Sequence, residues 1–208
     1  MIDTESDRRE KAPILIIACG ALAQDIVAIK ELNGWDHLHL TCLDAELHNR
    51  PELIAPRLRQ KIIQNRHLFE NIFVAYADCG SGGEIDKVLM EEGIDRLPGA
   101  HCYSFFAGEG KFAELAEEAL GTFYVTDFLL QHFERLVVKG LKLDRYPELR
   151  EQFFGNYTRL MYLSQCPTES LIQRAKDAAS TLGLTFDHYP CGYGGLQAGI
   201  ETQVIKFA

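Results

Sequence analysis

Short apolar runs alternate along this chain with stretches whose apolar residues recur at helical spacing. Ile14-Leu-Ile-Ile-Ala18 is an unbroken apolar strand, and after Cys19-Gly20 the positions Leu22, Ile26, Ile29 and Leu32 fall three or four residues apart. That is a strand, a tight turn and a helix. His37 to Leu43 predicts a second strand, Asp44 to Pro51 a loop, and Leu53, Leu58, Ile62 and Ile63 one face of a second helix. Ile72 to Ala77 predicts a third strand, closed by Asp78-Cys79-Gly80-Ser81-Gly82-Gly83 before a helix from Glu84 to about Glu91.

The middle of the chain is less regular. Leu97 to Cys102 reads as a turn into a short extended piece, and Phe112 to Ala119 as a short helix. Thr126 is the N-cap of a longer helix through Leu129, Phe133, Leu136 and Val137. Tyr146 to about Phe154 predicts a helix, Leu160 to Leu163 a strand, Thr168 to Leu182 a capped helix and Leu184 to Asp187 a last buried strand. Successive strand-to-helix units demand right-handed crossovers and parallel pairing. The expected fold is therefore α/β, a doubly wound, mostly parallel sheet flanked by helices. No linker-like composition divides it, so residues 1–12 are expected to be a flexible N-terminal segment and residues 13–208 a single domain.

Composition narrows the function. The net charge of −9, with no basic run, argues against nucleic acid as a partner. No apolar stretch approaches the roughly 20 residues needed to span a bilayer, and the polar start of the chain does not resemble a secretion signal, so a cytoplasmic location is expected. In that reducing setting the six cysteines are read as core residues, metal ligands or reactive thiols rather than disulfides.

In a parallel sheet the strand carboxyl ends share one edge, where ligands bind. Cys19, Asp44, His48, Cys79, Cys166 and Cys191 all follow predicted strands, whereas Cys42 lies inside one and reads as core. Cys19 and Cys79 also precede helices, whose N-terminal dipoles favour thiolate. No Cys-x-x-Cys pair occurs, so a structural zinc module is unsupported. A site assembled from separate loops fits better, with Cys19, Cys79 and Cys102 binding zinc or iron and His48 or His101 completing it or moving protons. If His101 and Cys102 are extended, only one of them faces the site.

Cys-Gly-x-Gly-Gly occurs twice, at Cys79–Gly83 and Cys191–Gly195. The first copy gives a rival chemistry, because Gly80, Ser81, Gly82 and Gly83 before a helix suit a phosphate, although neither a P-loop nor a full dinucleotide fingerprint is present. Asp127 and Asp144-Arg145 stand at helix ends, where charges commonly cap or solvate.

Ala18-Cys19-Gly20-Ala21-Leu22, Leu47-His48-Asn49-Arg50-Pro51, Tyr76-Ala77-Asp78-Cys79-Gly80, His101-Cys102-Tyr103 and Gly121–Phe128 together resemble the family catalogued as domain of unknown function 1638. Phe153–Tyr157 and Tyr162–Gln165 extend the likeness, which runs from about Pro13 to Gly195. The resemblance places the family's recurring Cys and His positions on Cys19, His48, Cys79, His101 and Cys102. Members are often encoded beside corrinoid-dependent methyltransferases and their corrinoid proteins. The resemblance therefore implies a role in or alongside corrinoid-dependent methyl transfer and one-carbon metabolism, with a corrinoid protein or methyltransferase as partner. Two other readings stand beside it. One is a non-catalytic accessory protein docking through aromatic residues such as Phe105, Phe106, Phe153, Phe154 and Tyr157; the other is a small-molecule or nucleotide-binding enzyme using the glycine turns.

Overall fold

The computed structural model describes residues 12–207, so the expected flexible segment lies outside the described residues except for Ala12. Among the described residues, seven strands form two parallel sheets. The first contains β1 (Ile14–Cys19), β2 (Leu38–Leu43), β3 (Asn71–Ala75) and the two-residue β4 (Asp95–Arg96), in the order β2-β1-β3-β4. The second contains β5 (Thr122–Thr126), β6 (Arg159–Ser164) and β7 (Thr185–Pro190), in that order.

The α/β class and parallel pairing agree with the apolar pattern; the division into two sheets does not follow from it. Each βα unit reads alike in sequence, and only pairing across long separations decides which strands share a sheet. Two further differences have local causes. Thr122–Thr126, an aromatic and β-branched run, is a strand ending at the expected N-cap. The last strand, expected to be buried, is the edge β7 and leaves alternate residues exposed.

Burial follows position in each sheet. Central β1 is buried at all six residues, which explains its unbroken apolar run, and central β6 is nearly as dry. Helices α1 (Ala23–Leu32), α2 (Ile54–Asn65) and α3 (Glu84–Glu92) follow the first three strands. In the second half α8 (Glu169–Leu182) buries Leu171, Ala175, Ala178, Ala179 and Leu182, one helical face, behind a Thr168 cap that accepts from the Leu171 amide at 3.2 Å.

The chain then returns to the first half. The final helix, numbered α9 after α4–α7 below (Gly194–Lys206), packs Leu196, Ile200 and Val204 into the core of the first sheet. Its start lies against α4 (Cys102–Ala107), where a Cβ on Gly194 or Gly195 would stand 2.6 Å from the carbonyl oxygen of Phe106 or Phe105. Close backbone approach, rather than backbone conformation, requires glycine there. Helices α5 (Glu109–Glu118), α6 (Asp127–Gln131) and α7 (Leu149–Phe154) complete the second half. Between α6 and α7, residues Glu134–Lys139 form a π-helical turn. No helix among the described residues is long and apolar enough to cross a membrane.

Candidate functional site

In the first sheet the strand order reverses between β1 and β3, because β2 lies outside β1 and β4 outside β3. A reversal leaves a crevice at the strand carboxyl ends. Cys19 ends β1, and Tyr76 and Cys79 follow β3, so all three approach this crevice. A cavity of about 160 Å³ occupies it, lined by Cys19, His48, Tyr76, Cys79, His101 and Cys102 on one side. All five Cys and His residues expected from the sequence are brought together.

Backbone contacts explain the meeting of Cys79 and Cys102. The amides of Asp78 and Cys79 donate to the carbonyls of Gly99 and Ala100, clipping the turn after β3 to the segment before α4. Arg96 secures the same segment by donating to the carbonyls of Leu97 at 2.9 Å and Gly99 at 3.1 Å. The two sulfurs are consequently 3.2 Å apart. The Cys102 thiol donates to Cys79, which lowers the Cys79 pKa, while the same hydrogen bond followed by burial holds Cys102 far above an ordinary thiol. Cys79 also has a φ of 47°, a left-handed conformation that costs a non-glycine residue about 1–2 kcal/mol. A strained backbone and a lowered thiol pKa at one residue make this loop a candidate site.

Cys19 is 5% exposed, and burial pushes its thiol up to about 11 although the Tyr76 hydroxyl donates to it. His48 and His101 stand at the exposed mouth. The His48 pKa is lowered, first by lost hydration and then by the nearby His101 charge, so neutral imidazole is favoured. His101, itself extended in backbone, is the N-cap of α4, and Cys102 opens that helix rather than continuing an extended piece. The expected opposition of their side chains therefore does not arise, and both line the cavity. Among the described residues, no group of three or more His, Cys, Asp or Glu side chains is arranged to hold a metal ion as it stands.

The glycine turn has another occupant. Asp78 accepts from Ser81 Oγ and the Gly83 amide at 2.8 Å and from the Gly82 amide at 3.3 Å. Burial opposes its ionisation, yet these donors keep its carboxyl below the usual range. Amides expected to cradle a phosphate are thus already engaged by the chain's own carboxylate. Gly80, Gly82 and Gly83 have φ between 66° and 85°, so this copy of the repeated motif uses all its glycines for backbone conformation, whereas the copy before α9 does so only at Gly192, with φ 59°. Phe105, Phe106 and Phe154 are core residues; Phe153 and Tyr157 remain exposed.

A second polar cluster is concealed in the sequence. Asp127 is buried and accepts from the Tyr162 hydroxyl at 2.7 Å and from the amides of Gln165 at 3.1 Å and Cys166 at 2.7 Å. It binds the end of β5 to the loop after β6. Asp25 lies within its electrostatic reach, and burial, with Asp127 adding to it, raises Asp25 to about 7. Cys166 shares a 3.3 Å contact with the Tyr193 hydroxyl, and Cys191 donates to the Ser164 carbonyl at 3.2 Å. Neither cysteine lines the thiol cavity. Nothing in the local pattern distinguishes Asp127 from an ordinary helix-start carboxylate; its partners come from a strand more than 30 residues away.

Fold and site define a parallel α/β protein with a thiol-lined crevice at a strand-order reversal. A family model described as "Protein of unknown function (DUF1638)" matches residues 42–200, and the chain belongs to that family. The matched span includes His48, Cys79, His101 and Cys102 and begins beyond Cys19. No curated protein sequence matches the chain. Among solved structures, it is similar to ornithine carbamoyltransferase from Pyrococcus furiosus at 12% identity, covering 86% of this chain and 54% of that one, with a TM-score of 0.26. The chain spans about half the length of that protein.

Proposed function

We propose that Cys79 and Cys102 grip a zinc or iron ion, joined by Cys19, with His48 or His101 as a further ligand or proton acceptor. The 3.2 Å separation of the two sulfurs carries this reading. Two thiolates on a tetrahedral zinc, each about 2.3 Å from the metal, lie roughly 3.8 Å apart, so the pair needs to open by only about 0.6 Å. Cys79, whose pKa is lowered, would give up its proton more readily than Cys102 or Cys19, whose pKa values are raised, and His48 is favoured as a neutral imidazole. The metal would supply Lewis acidity that stabilises a bound thiolate. Free cysteines throughout suit a cytoplasmic protein. The activity proposed for this site lies in, or alongside, corrinoid-dependent methyl transfer in one-carbon metabolism, with a corrinoid protein or methyltransferase as partner, as the sequence resemblance implies.

Metal analysis of protein purified without chelator tests the site. About one zinc or iron per chain is expected in the wild type and much less in Cys79→Ser. A wild-type chain that carries no metal and gives no thiolate charge-transfer band with cobalt(II) overturns the reading. A metal-free reactive thiolate is the second reading, favoured by the hydrogen-bonded pair as it stands. It requires metal-free protein whose Cys79 still reacts rapidly with an electrophile.

A further inference from the structure

The Cys79 and Cys102 sulfurs are 3.2 Å apart, and a disulfide bond of about 2.05 Å needs them to approach by only about 1.2 Å. Side-chain rotation covers such a distance when the backbones are already in place. Here they are, because the amides of Asp78 and Cys79 hold the carbonyls of Gly99 and Ala100. Cys79 stands on the turn after β3, followed by Gly80, whereas Cys102 is fixed at the head of α4, whose Phe105 and Phe106 are core residues. The sulfur on the turn is the one placed to meet a ligand, and the sulfur on the helix waits beside it. Both line the cavity and neither is sealed from it.

The rest of the lining says what can reach them. Phe123, Phe128, Leu129, Leu136, Val137 and Leu141 make it apolar. Leu136 and Val137 are the buried residues of the π-helical turn, which Asn49 attaches to the His48 loop by donating to the Leu136 carbonyl at 3.4 Å. Among the described residues lining the cavity there is no Lys or Arg. A carboxylate or phosphate would leave water there with no cation to receive it, whereas a hydrocarbon arm gains by the same move. The volume sets the size. A 150 Å³ apolar cavity holds benzene, so about 160 Å³ admits a body of roughly six to eight non-hydrogen atoms.

We propose that Cys79 and Cys102 form a redox pair that undergoes thiol–disulfide exchange with a small disulfide lacking anionic groups, its short arms against Leu136 and Val137. This rests on the metal-free reading above, since both sulfurs must be free, and names the electrophile. Cys79 sulfur attacks one sulfur of the ligand, the ligand S–S bond breaks, and the first half leaves as a thiol with the Cys79 proton. Cys102 sulfur then attacks Cys79 in the mixed disulfide, and the second half leaves as a thiol with the Cys102 proton. Two electrons pass from the two cysteines to the ligand, and the chain is left with a Cys79–Cys102 disulfide.

Peptide mass spectrometry tests it on the full chain, reduced and freed of metal by chelator, then exposed to 2-hydroxyethyl disulfide. The Cys79 and Cys102 peptides are followed apart from that of exposed Cys166. In the wild type they are expected to become joined, two hydrogens lighter, and to separate again with dithiothreitol. Cys102→Ser is expected to stop at a stable adduct on Cys79; if that variant does not fold, the wild-type linkage decides. Dithiodiglycolate, a dianion of similar length, is expected to react at least tenfold more slowly, each rate being divided by that of the same disulfide with free cysteine. A wild type that halts at a mixed disulfide, a bond from Cys79 to Cys19 instead, or equal corrected rates for the two probes overturns the proposal. A Cys79 that iodoacetamide labels rapidly but that never joins Cys102 sinks this inference alone. A Cys79 inert to both reagents sinks the metal-free reading with it.

Discussion

The Cys79 and Cys102 sulfurs lie 3.2 Å apart, and the hydrogen bond between them acts unequally, lowering the Cys79 pKa and raising that of Cys102. The asymmetry has a structural origin. Cys79 sits on a strained loop tip after β3, while Cys102 opens α4, and the clip between Asp78–Cys79 and Gly99–Ala100 fixes their separation. Of the two thiols, Cys79 is therefore the one whose ionisation is eased.

Thiol labelling follows directly. With metal removed, iodoacetamide near neutral pH is expected to modify Cys79 before buried Cys19 or Cys102. Cys102→Ala removes the donor, returns Cys79 toward an ordinary thiol, and slows its labelling by about three- to tenfold. Peptide mass spectrometry over time measures both rates. Unchanged Cys79 labelling in Cys102→Ala means the hydrogen bond does not control the thiolate.

Asp25 predicts a pH-dependent stability. A free aspartic carboxyl ionises at 3.8, whereas Asp25 in the folded chain ionises at about 7. Between those values the folded protein holds a proton that the unfolded chain has lost, so stability falls as pH rises and levels off above about 7. The loss has a ceiling of about 4 kcal/mol, reduced by the water that still reaches the group. Asp25→Asn is expected to flatten this slope and to raise the melting temperature at pH 8 more than at pH 4. Parallel melting curves for the two proteins would reject the assignment.

How legible this was depended on range. Helical spacing in Leu171, Ala175, Ala178 and Leu182 and the apolar run Ile14–Ala18 specify their elements locally, and the rule that ligands gather at strand carboxyl ends locates Cys19 and Cys79. The two-sheet division depends on pairing between distant strands, and β4 is only two residues long. Cys102 was legible as a site residue but not as the start of a helix, because six residues are too few to display a period. The two Cys-Gly-x-Gly-Gly copies look alike, yet in the first all three glycines serve positive φ, while in the second only Gly192 does and Gly194 and Gly195 serve backbone approach to α4. Asp127 was the most concealed, since its burial is produced by Tyr162 and the Gln165–Cys166 loop.

That carboxylate is expected to be a structural keystone. Asp127→Ala leaves the Tyr162 hydroxyl and two amides without their acceptor, a loss of about 3–5 kcal/mol and a fall in melting temperature of roughly 10 °C. Tyr162→Phe removes only one donor and costs about 1–2 kcal/mol. Thermal or denaturant unfolding ranks the two; equal costs would show that the backbone amides contribute little.

The two histidines at the cavity mouth give the last prediction, made for the metal-free chain. His48 is disfavoured as a cation first by lost hydration and second by the His101 charge. The second cause can be removed by replacing His101 alone. In His101→Gln the repelling charge is gone, so the His48 pKa rises toward 6.5 while burial still keeps it below that value. His48 then protonates at a higher pH, and a ligand or proton acceptor that must be neutral is lost at a higher pH as well. Titration of the His48 ring proton by NMR is expected to show a midpoint below 6.5 in the wild type and an upward move in His101→Gln. An unmoved midpoint would mean that the rings do not act on each other, and that water alone tunes His48.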